Sequence, residues 1–459
     1  MFRSRTHRNI VMTEGSLFKN TLLFALPLFL SGLLQLFFNA ADTIVVGRFS
    51  GQEALAAVGS VGSLNSLLVN IFLGLSTGTN VVVARYIGAQ DLKNARAAVH
   101  TAVTVSVIGG ALLAVVGFVL ARPLLQLMGS PEDVIDLAVL YIRIIFIGMP
   151  VQMLYNFSAA VLRSVGDTKR PLYFLTTAGV INVILNLIFV ICFRMSVAGV
   201  ALATIISQAV SAVLVVRSLM LRDDQAHLDP HMLRIDKKIL LEITRIGLPS
   251  GIQGSMFSIS NVLIQSSVNS FGTIAMAGNA AASNLCSFVH QGVQSIAQTV
   301  TAFVGQNMGA RKPRRIIRVM WVCQVWNLVF TGLLGVGSYI FGETLLSLYN
   351  TNPEVISLGM ERLLVVNVPY FILGVYDVFS GTLRGIGYSL LPMAIALAGI
   401  CLLRIVWLAT FFKTMPTMTG LMLSYPVSWL VTAIVMGGAL LILFQHVKKQ
   451  FSPQKLSAQ

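Results

Sequence analysis

The chain has 459 residues, of which 56% are hydrophobic and only 11% charged, and its mean hydropathy is +0.81. A soluble domain carries about 25% charged residues, so a water-soluble enzyme, a disordered chain, a collagen and a disulfide scaffold are all excluded. The net charge of +15 is not a nucleic-acid footprint, because the basic residues sit in alternate short loops, the pattern of the positive-inside rule.

A hydrocarbon core about 30 Å thick takes roughly 20 helical residues to cross. Apolar runs of that length predict twelve helices, near 17–46, 54–83, 97–121, 134–162, 171–193, 197–219, 240–270, 274–305, 316–341, 355–383, 388–412 and 418–446. The fold class is an all-α polytopic membrane protein. The basic start, MFRSRTHRNI, is like a signal-peptide n-region. The apolar run behind it is too long, lacks a small-x-small cleavage site and holds Asp42, so a retained first helix is expected.

Taken in order, the segments expected on the inner side carry Arg3, Arg5, Arg8 and Lys19; Arg85, Lys93 and Arg96; Arg163, Lys169 and Arg170; and a central run from Arg217 to Arg245. Then come Arg311, Lys312, Arg314, Arg315 and Arg318, followed by Arg384 and by Lys448, Lys449 and Lys455. The outer loops hold only Arg48, Arg122, Arg194 and Lys413. This bias puts both termini in the cytoplasm. Arg143, Arg362 and Arg404 fall inside helices and are expected to snorkel. The four cysteines, Cys192, Cys286, Cys323 and Cys401, are expected as packed, unpaired thiols.

The longest polar stretch lies at the centre and divides two halves that repeat. Pro27 and Pro249, each read as opening a helix, are 222 residues apart, as are Asn39 and Asn261, Phe49 and Phe271, and Pro131 and Pro353. Gly88 and Gly309, Leu162 and Leu383, Gly199 and Gly420, and Ser207 and Ser428 are 221 apart. The expected domains are a six-helix lobe over 1–220, a cytoplasmic linker over 221–238 and a second six-helix lobe over 239–459. An even number of helices per half makes the repeats parallel, the arrangement of transporters that rock two bundles about a central site.

Ionisable residues within spans are costly and therefore functional candidates. Only Asp42, in LFFNAADTIVVG, and Asp377, in FILGVYDVFSGTLRG, lie deep in apolar stretches. A carboxylate in a low-dielectric interior favours its neutral form, so it can take a proton from one side and release it to the other. A structural hydrogen bond is the alternative, and for Asp377 the two readings balance. Asn182 and Asn186, spaced i, i+4, share one helix face. They are either interhelical glue or neutral ligands for Na⁺ and partners of Asp42, and Thr204 faces the same choice. Asn156 stands where Asp377 stands in the second half. With Gln35, Asn39 and Gln253, these two make up the polar positions that could line a substrate path. Pro27 is a candidate hinge. His290 reads as a hydrogen-bonded packing residue. No Walker motif, zinc spacing or Ser–His–Asp signature is present, so neither an ATP-driven pump nor a membrane hydrolase is indicated.

The stretch LPLFLSGLLQLFFNAADTIVVGRFSGQEALAAVG resembles the first-helix signature of the multidrug and toxic compound extrusion (MATE) family. So do VGQNMGARKPRR, AAVLRSVGDTKRP and its partner SGTLRGIGYSLLP, and the resemblance runs through both halves. It implies twelve helices in two pseudo-symmetric six-helix lobes around a central cavity. It also implies export of cationic or amphiphilic organic compounds in exchange for H⁺ or Na⁺, without an organic cofactor. Asp42 matches the family's coupling carboxylate, and Asn182, Asn186 and Thr204 match the polar residues around it. One branch has an acid where Asn186 stands, and another a helix 7 glutamate where PSGIQGSMFSISN offers Gln253. The implied partners are small organic cations and membrane lipids, with no nucleic acid, and the implied protein is a monomer in a bacterial-type plasma membrane. A lipid-linked oligosaccharide flippase and a membrane-embedded transferase are the alternative functions.

Overall fold

The computed structural model describes residues 10–128 and 132–450; Arg3, Arg5, Arg8, Pro131 and Lys455, used above, lie outside them. The described residues contain helices and no strand. In chain order the spans are α1 (Leu17–Phe49), α2 (Gln52–Gly88), α3 (Leu92–Leu127) and α4, made of Glu132–Ile147 and Met149–Ser164. They continue with α5 (Lys169–Cys192), α6 (Ser196–Met220), α7 (Lys237–Asn269) and α8 (Thr273–Gly309). The last four are α9 (Pro313–Ile340), α10 (Pro353–Ile386), α11 (Leu390–Thr414) and α12, made of Met418–Met422 and Ser424–Gln450. This is the twelve-helix, two-lobe arrangement expected.

Among the described residues, eight spans are long and apolar enough to cross a membrane on composition alone, and α4 is a ninth if its two segments, bent by 47°, count as one. The remaining three, α2, α7 and α8, have 37, 33 and 37 residues. Length suffices there, but each carries more polar side chains, such as Asn80, Gln253 and Asn279. Pro27 and Pro249 lie inside α1 and α7 rather than opening them. In a membrane helix the backbone groups freed by proline find other partners, so the helix runs through. Three spans change pitch: α5 ends in a π-helical turn over Ile188–Cys192, α10 contains one over Leu363–Asn367 and α11 one over Leu397–Leu402.

The helices form two compact units. Among the described residues, one draws on Ile10, Val11 and Leu30–Leu248, the other on Met12–Phe29 and on the chain from Pro249 onward. In the first unit, Val46, Ala57, Ile142, Phe146 and Val200 bury one core between α1, α2, α4 and α6. Gly78 on α2 and Gly247 on α7 let two backbones touch, since a Cβ on Gly78 would meet the Gly247 nitrogen at 2.8 Å. The polar stretch after α6 docks on the end of α3. The Asp229 and Asp236 amides donate to His100 Nε2 and Thr101 Oγ1, both at 3.1 Å. Arg222 reaches Asp167 at 3.4 Å, both side chains being buried, and also pairs with Asp224.

In the second unit, Met12 is fully buried, its carbonyl accepting from Asn307 Nδ2 at 3.1 Å. His290 sits between Tyr370 and Gln294, at 3.3 and 3.4 Å, as a packing residue should. Arg362 and Arg404 do not snorkel; both are buried, turned into the helix bundle. Arg143 is half-buried, its guanidinium 4.8 Å above the Phe118 ring. All four cysteines are free, but Cys192 is exposed rather than packed.

Candidate ion-coupling site

Asp42 lies near the end of α1, where Phe38, one turn earlier, is laid on α5. Only a glycine permits that: a Cβ on Gly179 would run into the Phe38 ring. One turn beyond Gly179 the i, i+4 pair Asn182 and Asn186 then faces the carboxylate. Asn186 Nδ2 donates to Asp42 Oδ1 and, at 3.2 Å, to Asn182 Oδ1. Asn182 Nδ2 donates to Thr204 Oγ1 at 3.4 Å, and Thr204 on α6 reaches Asp42 Oδ2 at 3.5 Å. Thr204 has one hydroxyl proton, and its shorter bond goes back to the Val200 carbonyl at 2.9 Å. The four side chains lie in a ring within the first unit, with the Thr204–Asp42 edge its longest and weakest side. Asn182 and Asn186 are buried, and Asn186 Oδ1 has no hydrogen-bond partner.

The ring offers a carboxylate, two amide oxygens and a hydroxyl. Such hard oxygen donors suit a proton or a small cation. No group of three or more His, Cys, Asp or Glu side chains that could hold a metal occurs among the described residues.

The other polar positions lie apart from this ring. Gln35 and Asn39 are exposed on α1. Asn156 is half-buried on α4 and donates to the Gln152 carbonyl at 3.0 Å. In the second unit Gln253 is buried and donates to the Tyr376 hydroxyl, leaving its own Oε1 unpartnered. Asp377, beside Tyr376 on α10, is buried as well. Arg362, Arg404 and Tyr425 form a second polar cluster that sequence reasoning did not identify; the one signal for it is that Tyr425 stands 221 residues after Thr204.

The MatE family model matches the chain twice, over residues 27–188 and 249–410, one copy in each half. The probable multidrug resistance protein YoeA of Bacillus subtilis is 29% identical, over 93% of this chain and 94% of its own length. The FAD transporter of Shewanella oneidensis is 27% identical, over 92% and 93%. Among solved structures, that of the Vibrio cholerae MATE transporter VcmN superposes with a TM-score of 0.87 at 23% identity, covering 94% of this chain and 97% of that one. Both halves match one family model and the fold agrees: the chain belongs to the MatE family of membrane transporters and is not an enzyme.

Proposed function

We propose that the protein is a multidrug efflux antiporter that exports cationic or amphiphilic organic compounds in exchange for H⁺ or Na⁺. In this reading alternating access exposes Asp42 first to one side of the membrane and then to the other. The observation that carries the reading is the ring Asp42–Asn186–Asn182–Thr204, a single carboxylate held by neutral groups. With no cationic side chain paired to it among the described residues, the carboxylate is free to exchange an external cation. The protein sits as a monomer in a bacterial-type plasma membrane with both termini in the cytoplasm, Pro27 serves as a hinge in α1, and no organic cofactor takes part. Relatives named multidrug resistance proteins support the efflux reading. Proteoliposomes loaded with ethidium test it: efflux should follow an imposed H⁺ or Na⁺ gradient and stop when the gradient is collapsed. Gradient-independent efflux would refute antiport.

A further inference from the structure

We propose that Arg362 and Arg404, gathered round Tyr425 in the second unit, form an anion site that takes a carboxylate or phosphate group of a transported organic compound. The proposal rests on the chain being a transporter but not on the role of Asp42.

Both arginines lie within membrane-spanning segments, α10 and α11, yet they are only 6% and 4% exposed. The Arg404 guanidinium lies 4.2 Å from the Tyr425 ring centre and that of Arg362 5.7 Å from it. The two cations are therefore no farther apart than the sum of those distances. Arginine stays protonated in a protein interior, and buried charges are ordinarily paired. Here neither guanidinium forms an ion pair among the described residues. Arg404 donates from Nε to Ser428 Oγ and from Nη1 to Asn261 Oδ1, both at 3.2 Å. Arg362 Nη1 donates to Asn279 Oδ1 and lies 3.9 Å from Met422 Sδ, while its Nε is buried without a partner. Glu361, next in sequence, is engaged by Thr419. Asp377 is fifteen residues further along α10, roughly 20 Å at helical rise.

Two features of the backbone frame the pair. A π-helical turn begins directly after Arg362, and another ends two residues before Arg404. Such turns re-aim side chains and recur at functional sites. The internal repeat supplies the contrast. Tyr425 stands 221 residues after Thr204, a member of the Asp42 ring, and Ser428 stands 221 after Ser207. The position that meets a carboxylate in the first unit meets two guanidiniums in the second, so the two halves have opposite polarity at equivalent places. A carboxylate or phosphate accepts charge-assisted, forked hydrogen bonds from arginine. It outcompetes the neutral amide oxygens of Asn261 and Asn279, and Tyr425 holds the Arg404 plane in place by cation–π contact.

The test uses the purified full chain in detergent, with carboxyfluorescein as an anionic probe read by polarisation and ethidium as a cationic one. The wild type should bind carboxyfluorescein saturably. Benzoate or phenyl phosphate should displace it and benzamidine should not; which of the two displaces better separates carboxylate from phosphate. Arg362→Gln and Arg404→Gln should each weaken binding by about tenfold or more, and Arg404→Lys by less, while ethidium binding stays unchanged. Absence of carboxyfluorescein binding to the wild type, equal displacement by benzamidine, or wild-type binding by the double Gln variant would overturn the proposal. The displacement arm needs only the wild type, so a misfolded variant does not spoil the test. Ethidium flux, which tests the antiport reading, is measured separately.

Discussion

Asn186 donates its amide to Asp42 across 144 residues of sequence, and its own carbonyl oxygen is buried without a partner. One side chain thus holds the carboxylate and offers a spare acceptor beside it. Replacing Asn186 with Leu keeps the bulk and removes both functions. Ethidium efflux should then fall by about tenfold, the scale of one hydrogen bond to a charged group. Unchanged efflux from a well-expressed Asn186→Leu protein would show that the amide is mere packing.

The contact that places this ring is apolar. Gly179→Ala should push the Phe38 ring off α5 and carry Asp42, one turn on, away from Asn182 and Asn186. Efflux should fall by about tenfold or more, since displacements of about 1 Å are that costly to a preorganised site. Adding Phe38→Ala should restore much of it by making room. If the double variant is as poor as the single one, the defect does not come from this contact.

Much of this site was legible in the sequence because its parts obey one-dimensional rules. Asn182 and Asn186 share a face by spacing, Asp42 is conspicuous in an apolar run, and the 221–222 offset exposes the repeat. The direction of Arg362 and Arg404 was not legible. A long basic side chain in a membrane helix can equally snorkel outward or turn inward, and packing decides. Nor were the π-helical turns, which need no distinctive residue.

The stretch after α6 rests on charge. Arg222 is buried against Asp167, and removing one partner of a buried pair leaves the other uncompensated. Arg222→Ala should destabilise the first unit by about 3 kcal/mol, read as a lower midpoint in detergent unfolding, while Arg122→Ala, at an exposed pair, should change little.

The same cluster gives a pH dependence. Burial alone would raise the Asp224 carboxyl, but its hydrogen bonds and charge contact with Arg222 hold it below the ordinary 3.8. A carboxyl lowered in the folded state stabilises it above the unfolded value, and that contribution is lost as pH falls through the folded one. The wild type should therefore lose part of its thermal stability below about pH 4. Asp224→Asn should flatten that limb of the curve; an identical acid limb in the variant would mean that other carboxyls set it.

Asp377 is buried in the second unit, outside the ring of Asp42. Asp377→Asn should weaken efflux of cationic dyes more than of neutral ones and leave the pH dependence of transport in place. A shift in the pH profile as large as that caused by changing Asp42 would move coupling to the second unit.

If a single carboxylate couples the ion to export, the Asp42→Asn variant abolishes that coupling. Asparagine keeps the size and one acceptor oxygen but can neither titrate nor carry charge. The measurement is ethidium efflux from proteoliposomes with an imposed H⁺ gradient and, separately, an imposed Na⁺ gradient, for wild type and variant at matched, folded protein. Wild type should respond to at least one gradient and Asp42→Asn to neither. Gradient-driven efflux at the wild-type rate by Asp42→Asn would contradict coupling through this carboxylate.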